Sequence, residues 1–275
     1  MTAPPVPTPQ DVATALRAPY VPAVIASLGR CTGYLEAVWP QLAPSVETTG
    51  FVGSALYMAD MALDAVEAVY QPALSREQLL GGALTPEDLE RLLAVLDVFH
   101  WVQPQLLLLC AALAEAHAAP SVGGQGRPDP RETDERERAH LATEVELASP
   151  SAGPLPEVAE LLQLAEPPEL YRAAAVWPGY LEVAWAELQH LGTYPPFRQR
   201  GRGLYYYARS SSRFLARPLH ADREALRAAG MGDEAIDEAF AVVDGALPAL
   251  ATMMMHCTAM RAGLGETRRE VVQQG

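Results

Sequence analysis

The chain has 275 residues and a formal net charge of −14, because 34 acidic side chains outnumber 20 basic ones. This excess of negative charge argues against a nucleic acid or an anionic membrane as a partner. The three cysteines form no CxxC pair and the six histidines are scattered, so we expect neither a disulfide framework nor a metal site.

The N-terminal sequence, MTAPPVPTPQD, lacks the basic start and the apolar core of a signal peptide. The longest apolar run, Leu106 to Leu113, is far too short to span a bilayer. We therefore expect a soluble cytoplasmic protein without a membrane partner.

One short sequence occurs twice: GYLEAVW at residues 33–39 returns as GYLEVAW at residues 179–185. Three further blocks recur at almost the same separation, namely 75–79 with 222–226, 94–97 with 241–244, and 110–113 with 257–260. A repeat of about half the chain is far longer than those of solenoids and propellers. It predicts an internal duplication, in which two former subunits are fused in one chain.

Apolar residues recur at helical spacing in both halves, and alternating strand patterns are absent. For example, Thr85 and Pro86 form a typical helix start. Leu89, Leu92 and Leu96 then follow at intervals of three and four residues. The predicted fold class is therefore all-α, with two pseudosymmetric helical bundles.

The segment from Phe99 to Leu106 combines an internal proline with aromatic and amide side chains. Pro104 removes an amide donor and clashes with the preceding turn, so we predict a kink or a restart that leaves carbonyl groups near His100 unpaired. Exposed backbone groups beside Gln103 favour a small-molecule site, although an internal proline more often serves geometry alone.

Residues 119–156 are rich in glycine, proline and charge and poor in large apolar groups. Such a composition cannot bury enough surface to fold alone, so it indicates a linker, with a short helix predicted around residues 132–145. We therefore divide the chain into a first helical repeat at 1–118, this linker, and a second helical repeat at 157–275.

A proline pair, Pro167-Pro168, precedes Glu169 in the first turn of a helix predicted in the second half. The helix dipole favours an ionised carboxylate at this place. Such a carboxylate could activate water, but an acid in a first turn is far more often a simple stabilising charge.

Two long predicted helices, at 51–70 and 198–217, carry opposite charge. We expect Asp60 and Asp64 to lie near Arg209 and Arg213, because matched four-residue spacing lets antiparallel helices pair in register. Two solvated helix faces are an equally good interpretation.

In its order of motifs the sequence resembles the group I 2-haloacid dehalogenases, also known as the halocarboxylic acid dehydrogenase family. The resemblance rests on residues 17–21 (RAPYV), 33–39, 99–109 and 171–181. It implies an all-helical chain of two fused halves, a hydrolysis that needs no cofactor, and a small organic acid as partner.

In that family, an aspartate seven residues before a Trp-Pro pair activates the water that displaces halide from C2. An asparagine directly before the proline of the kinked segment orients this water. Here Leu170 stands at the aspartate position and Gln103 at the asparagine position. Leucine has no proton acceptor, so the base is missing at its expected place. Glu169 is adjacent, yet one helical step rotates a side chain by about 100°, which would aim it elsewhere.

We therefore expect a diverged family member whose pocket, between the two halves, takes a small organic acid. The candidate catalytic residues are Glu169 as general base and Gln103 as water orienter. The candidate substrate-binding residues are Tyr20, His100, Leu170 and Tyr171. The alternatives are a non-catalytic small-molecule-binding protein and a purely structural pseudodimer, and a homodimer is one possible assembly.

Overall fold

The protein, seen in a computed structural model, is built almost entirely of α-helices. The structure describes residues 6–73 and 75–265, and in that part of the chain each of the two strands is only two residues long. The predicted all-α class is therefore confirmed.

The helices follow the same order in both halves of the chain. The first half contains α1 (Pro9–Ala15), α2 (Ala23–Arg30), α3 (Tyr34–Val46), α4 (Thr49–Glu67), α5 (Arg76–Leu80) and α6 (Pro86–Ala118). The segment predicted as a linker contains β1 (Val122–Gly123) and α7 (Glu135–Ala142). The second half contains α8 (Leu155–Leu162), α9 (Glu169–Ala174), α10 (Pro178–Thr193), α11 (Pro195–Ser211), β2 (Pro218–Leu219), α12 (Arg223–Ala228) and α13 (Asp233–Gly263).

Each helix from α1 to α6 begins 144 to 147 residues before its counterpart among α8 to α13. This agreement in order and spacing is what a duplication would produce. The duplication itself remains an interpretation of the sequence, as do the domain boundaries drawn from it.

Two long helices, α6 and α13, pack along each other and form the centre of the molecule. Both are long and apolar enough to cross a membrane by length and composition alone. Most of the apolar stretch of each, however, is buried against other helices of the protein. Their hydrophobicity is therefore accounted for by their position in the core.

The start of α6 follows from its sequence. The Thr85 hydroxyl accepts a hydrogen bond from the Asp88 amide at 3.1 Å, and the Asp88 carboxylate accepts one from the Thr85 amide at 3.1 Å. This reciprocal pair satisfies donors that have no partner inside the helix. Asp88 also accepts a hydrogen bond from the Trp177 indole at 3.0 Å, which ties the start of α6 to the second half of the chain.

The helix α6 runs without a break through Pro104, so the restart predicted there is wrong. The side chain of Gln105 helps to hold this stretch in place. Its amide donates to the carbonyl groups of Trp101 at 3.0 Å and Leu16 at 3.2 Å. A proline within a long helix is tolerated here because neighbouring groups and dense packing surround it.

The segment between the halves is attached to the first half by backbone and charged contacts. The Thr49 amide donates to the Asp129 carbonyl at 2.9 Å, and the Arg131 amide donates to the Glu47 carbonyl at 3.0 Å. The helix α7 lies within the range predicted for a short helix. Although this segment is poor in large apolar groups, it is fixed to the rest of the protein.

Charged side chains of α7 are buried against the first half. Glu137 is only 2% exposed and forms ion pairs with Arg131 at 3.7 Å and Arg17 at 4.0 Å. The His140 ring lies 2.6 Å from the carboxylate of Asp97 on α6. This segment has few large apolar side chains to bury, so polar contacts anchor it to the rest of the protein.

The helices α4 and α11 meet as the charge pattern predicts, but with other side-chain partners. Tyr57 and Tyr207 contact each other, with 5.1 Å between their ring centroids. Arg209 forms an ion pair with Glu115 of α6 rather than with Asp60. Arg209 thus pairs with the long central helix α6.

Candidate active site

A cavity of about 540 Å³ lies between the two halves of the chain. The first half lines it with α2 and α6, and the second half lines it with α9, the loop before α9, and α13. Cavities of this size hold organic ligands in many proteins. It is the largest of the principal cavities in the part of the chain that the structure describes.

Four of the six candidate site residues line this cavity: Tyr20, Gln103, Glu169 and Leu170. The expectation that Glu169 would be aimed elsewhere is wrong. Glu169 is the first residue of α9 and follows Pro168, whose backbone is extended, and Pro168, Glu169 and Leu170 all line the cavity. Neighbouring side chains at this helix end therefore both reach the same space.

Glu169 joins the two halves at the cavity. Its carboxylate accepts a hydrogen bond from the amide of Ala23, the first residue of α2. Burial raises the pKa of Glu169 above its ordinary value, although hydrogen bonds from its own amide and from Ala23, and the charge of Arg172, act in the opposite direction. The result is a carboxylate that holds a proton more tightly than a solvated glutamate.

Gln103 presents an acceptor that no protein group satisfies. The side chain is only 2% exposed, and its Oε1 atom has no hydrogen-bond partner within the protein. Buried amide oxygens are almost always paired with protein or ordered water. An acceptor in this position is therefore suited to bind a water molecule or a ligand hydroxyl.

Tyr20 contributes a neutral phenol to the same wall. Its ring lies 5.2 Å from that of Phe99, measured between centroids. Burial, and after it the charge of Glu169, raise the pKa of Tyr20 well above its ordinary value. Tyr20 therefore keeps its proton near neutral pH and can donate a hydrogen bond.

The other two candidates, His100 and Tyr171, do not line this cavity. His100 lines a small separate gap beside Pro104 and Met254, and burial lowers its pKa to about 3, so its ring is neutral. Tyr171 is fully buried, and its hydroxyl lies 2.8 Å from Nδ1 of His256. One helical step beyond Leu170 turns the Tyr171 side chain into the core.

The sequence analysis did not identify several of the residues that line the cavity. Arg172 lines the cavity, and its Nε donates to the Ala148 carbonyl at 3.0 Å. Its position three residues after Glu169 places both on one helix face, and this spacing could have revealed it. The α13 wall consists of alanine, glycine, valine, leucine and methionine, a pattern that the sequence does not distinguish from core packing.

The cavity thus brings together a carboxylate with a raised pKa, a buried amide, a phenol and a guanidinium. Within the described residues, no group of three or more histidine, cysteine, aspartate or glutamate side chains is placed to hold a metal ion. Such a set of groups can bind a polar ligand and exchange a proton with it.

Comparisons with known proteins agree with the resemblance seen in the sequence. The model of the family "Halocarboxylic acid dehydrogenase DehI" matches residues 19–152. A configuration-inverting 2-haloacid dehalogenase of Pseudomonas sp. (strain 113) is 28% identical over 187 residues, which cover 64% of this chain and 60% of that protein. An (R)-2-haloacid dehalogenase of Pseudomonas putida is 27% identical over 101 residues, which cover 36% of this chain and 33% of that protein. The matches thus span less than two thirds of the length of these relatives.

Solved structures show the same fold. A D-2-haloacid dehalogenase mutant in complex with D-2-CPA superimposes with a TM-score of 0.81 and 20% identity, covering 93% of this chain and 90% of that one. A D-2-haloacid dehalogenase with L-LA gives a TM-score of 0.82 at the same identity and coverage. The chain is thus similar in sequence to the halocarboxylic acid dehydrogenase DehI family and to 2-haloacid dehalogenases, and it shares the fold of D-2-haloacid dehalogenases.

Proposed function

We propose that the protein hydrolyses a small 2-halo carboxylic acid in the cavity between its halves, with Glu169 as the general base. The observation that carries this proposal is that Glu169 and Gln103 line one cavity, with a raised pKa on the carboxylate and an unpaired Oε1 on the amide. The activities of the related proteins agree with this reaction class.

The reaction is a direct displacement. Gln103 accepts a hydrogen bond from a water molecule and holds it, and Glu169 takes a proton from that water as its oxygen attacks C2. The bond between C2 and the halogen breaks, and the halide leaves with the bonding electron pair. A single in-line displacement of this kind inverts the configuration at C2.

Arg172 supplies the positive charge that binds the carboxylate of the substrate. It lines the cavity and interacts electrostatically with Glu169. A guanidinium can bind a carboxylate through two parallel hydrogen bonds. This contact would fix the substrate with C2 near Glu169 and would keep the two negative groups apart.

The competing function is a binding protein that kept the cavity and lost the base. Two observations favour it: Leu170 stands at the position of the family aspartate, and the Glu169 carboxylate is already engaged by the Ala23 amide. Halide release from D- and L-2-chloropropionate decides between the two. Release by the purified protein supports hydrolysis, whereas binding of these acids without release supports the alternative.

Substitution of Leu170 with aspartate tests the alignment with the family. Because Leu170 lines the cavity, an aspartate there would add a second proton acceptor next to the substrate. A positioned general base contributes about 10²–10⁴-fold, so we expect Leu170→Asp to raise halide release at least about tenfold. The measurement is halide release by protein whose helical content is verified by circular dichroism.

Leu170→Asn is the matched control, because asparagine has nearly the same shape and polarity as aspartate but cannot act as a base. We expect no gain in this variant. An equal gain in both variants, or none in a folded Leu170→Asp protein, would show that position 170 is not the place of the family base.

A further inference from the structure

The cavity is larger than a three-carbon haloacid requires. Such an acid has six heavy atoms, and at on the order of 30 Å³ for each water-sized group it would occupy roughly 180 Å³. The cavity measures about 540 Å³. Most of its space is therefore left for another part of the ligand.

The additional space extends along two helices. The residues of α13 that line the cavity run from Ala241 to Met253, which is about 18 Å at 1.5 Å per residue. Residues Ala23 to Arg30 of α2 line it over about 10 Å. Gln103 lies at the Met253 end, since Gln103 and Met254 together line a small adjoining gap. The cavity thus leads from the catalytic groups along α2 and α13 toward Arg30.

The α13 wall of this passage is apolar, and four of its seven residues are alanine or glycine. Its lining residues are Ala241, Val242, Gly245, Ala246, Ala249, Leu250 and Met253. A Cβ atom placed on Gly245 would meet no atom within 4 Å, so the backbone borders open space here. Small apolar side chains along a groove leave room for an alkyl chain and offer it no hydrogen bonds.

We infer that the physiological ligand is a 2-substituted carboxylic acid with an unbranched alkyl chain of medium length, whose chain lies against α13. This inference rests on the proposed function only in where it places the carboxyl group of the ligand. The polar groups at one end of the cavity fix the carboxylate and C2, and the passage along α2 and α13 holds the alkyl chain.

Binding of unreactive acids tests this inference without catalysis. Isothermal titration calorimetry with octanoate and propionate should show octanoate binding at least about tenfold more tightly, because each buried methylene is worth about fourfold in affinity. Equal affinities for the two acids would overturn the inference.

Gly245→Leu should fill the passage at its α13 wall. We expect it to weaken octanoate binding at least about tenfold and to leave propionate binding within about twofold, because each methylene that is kept out of the cavity loses about fourfold in affinity. Gly53→Leu is the matched control: Gly53 also lies within a long helix with no atom near its Cβ position, but outside the cavity. Unchanged octanoate binding by Gly245→Leu would contradict the inference, as would an equal loss in Gly53→Leu.

Halide release from 2-bromooctanoate separates this inference from the proposed function. Tight octanoate binding without any halide release supports the alkyl passage and contradicts hydrolysis. Release from 2-chloropropionate together with octanoate binding no tighter than propionate binding supports hydrolysis and contradicts the alkyl passage.

Discussion

Replacement of Glu169 with glutamine is expected to lower halide release from 2-chloropropionate by at least about 10²-fold. The amide keeps the shape of the side chain but cannot take a proton from water, and a general base commonly contributes 10²–10⁴-fold. The loss should fall on kcat, with KM changed little, because the substrate carboxylate is bound by other groups. Initial-rate measurements of halide release on both enantiomers give these two parameters.

Glu166→Gln is the control for this experiment. Glu166 also lines the cavity, but it is exposed and precedes the proline pair rather than starting α9. We expect this variant to keep nearly all of the activity. If both variants lost activity equally, the effect would stem from the negative charge of the cavity, and Glu169 would not be the base.

The pH dependence of kcat/KM provides a second readout on the same residue. A base works only when it is deprotonated, and burial raises the pKa of Glu169 above the ordinary 4.5. Activity should therefore fall as the pH decreases through a value above 4.5, and it should rise toward neutral pH. Any residual activity of Glu169→Gln should lack this acidic limb.

Substitution of Arg131 with methionine is expected to lower the free energy of unfolding by about 3–5 kcal/mol. Arg131 is buried, lies 3.7 Å from the buried Glu137 carboxylate, and donates to the Ala15 carbonyl at 3.0 Å. Removal of Arg131 leaves the buried Glu137 carboxylate with Arg17, at 4.0 Å, as its remaining ion-pair partner, and loss of one partner of a buried pair is strongly destabilising. Unfolding in guanidinium chloride, followed by circular dichroism, measures the change.

Arg127→Met serves as the control, because Arg127 is an exposed arginine in the same segment. We expect a change within about 0.5 kcal/mol there. Adding Glu137→Gln to Arg131→Met should recover part of the lost stability, since it removes a buried charge that has lost the nearer of its two partners. Stability losses of equal size at positions 127 and 131 would mean that the buried ion pair does not anchor α7.

The fold was largely predictable because its signals are local. The start of α6 at Thr85 and Pro86 depends on a capping box that is formed by residues close together in the chain. The short helix between the halves was also predicted from local composition. The buried ion pairs of Glu137 were not predictable, because they join residues that lie far apart in the chain.

The candidate site was predictable only where sequence motifs reach it. Gln103 and Glu169 were first indicated by the prolines beside them, Leu170 was found through the family resemblance, and all three line the cavity. His100 and Tyr171 were selected as neighbours in those motifs, but adjacent helical residues point in different directions. The α13 wall was missed because the sequence does not reveal which apolar residues border a cavity.

The hydrogen bond between Glu169 and Ala23 has a consequence for symmetry. The two residues begin α9 and α2, which occupy matching places in the two halves. In a dimer of identical subunits, both matching positions would carry the same side chain, so a glutamate there would bring two carboxylates to this contact, and like charges repel each other. If the halves arose by duplication, fusion freed one half to keep a small residue while the other acquired an acid. An asymmetric pair of this kind is accessible to a single chain but not to a strictly symmetric dimer.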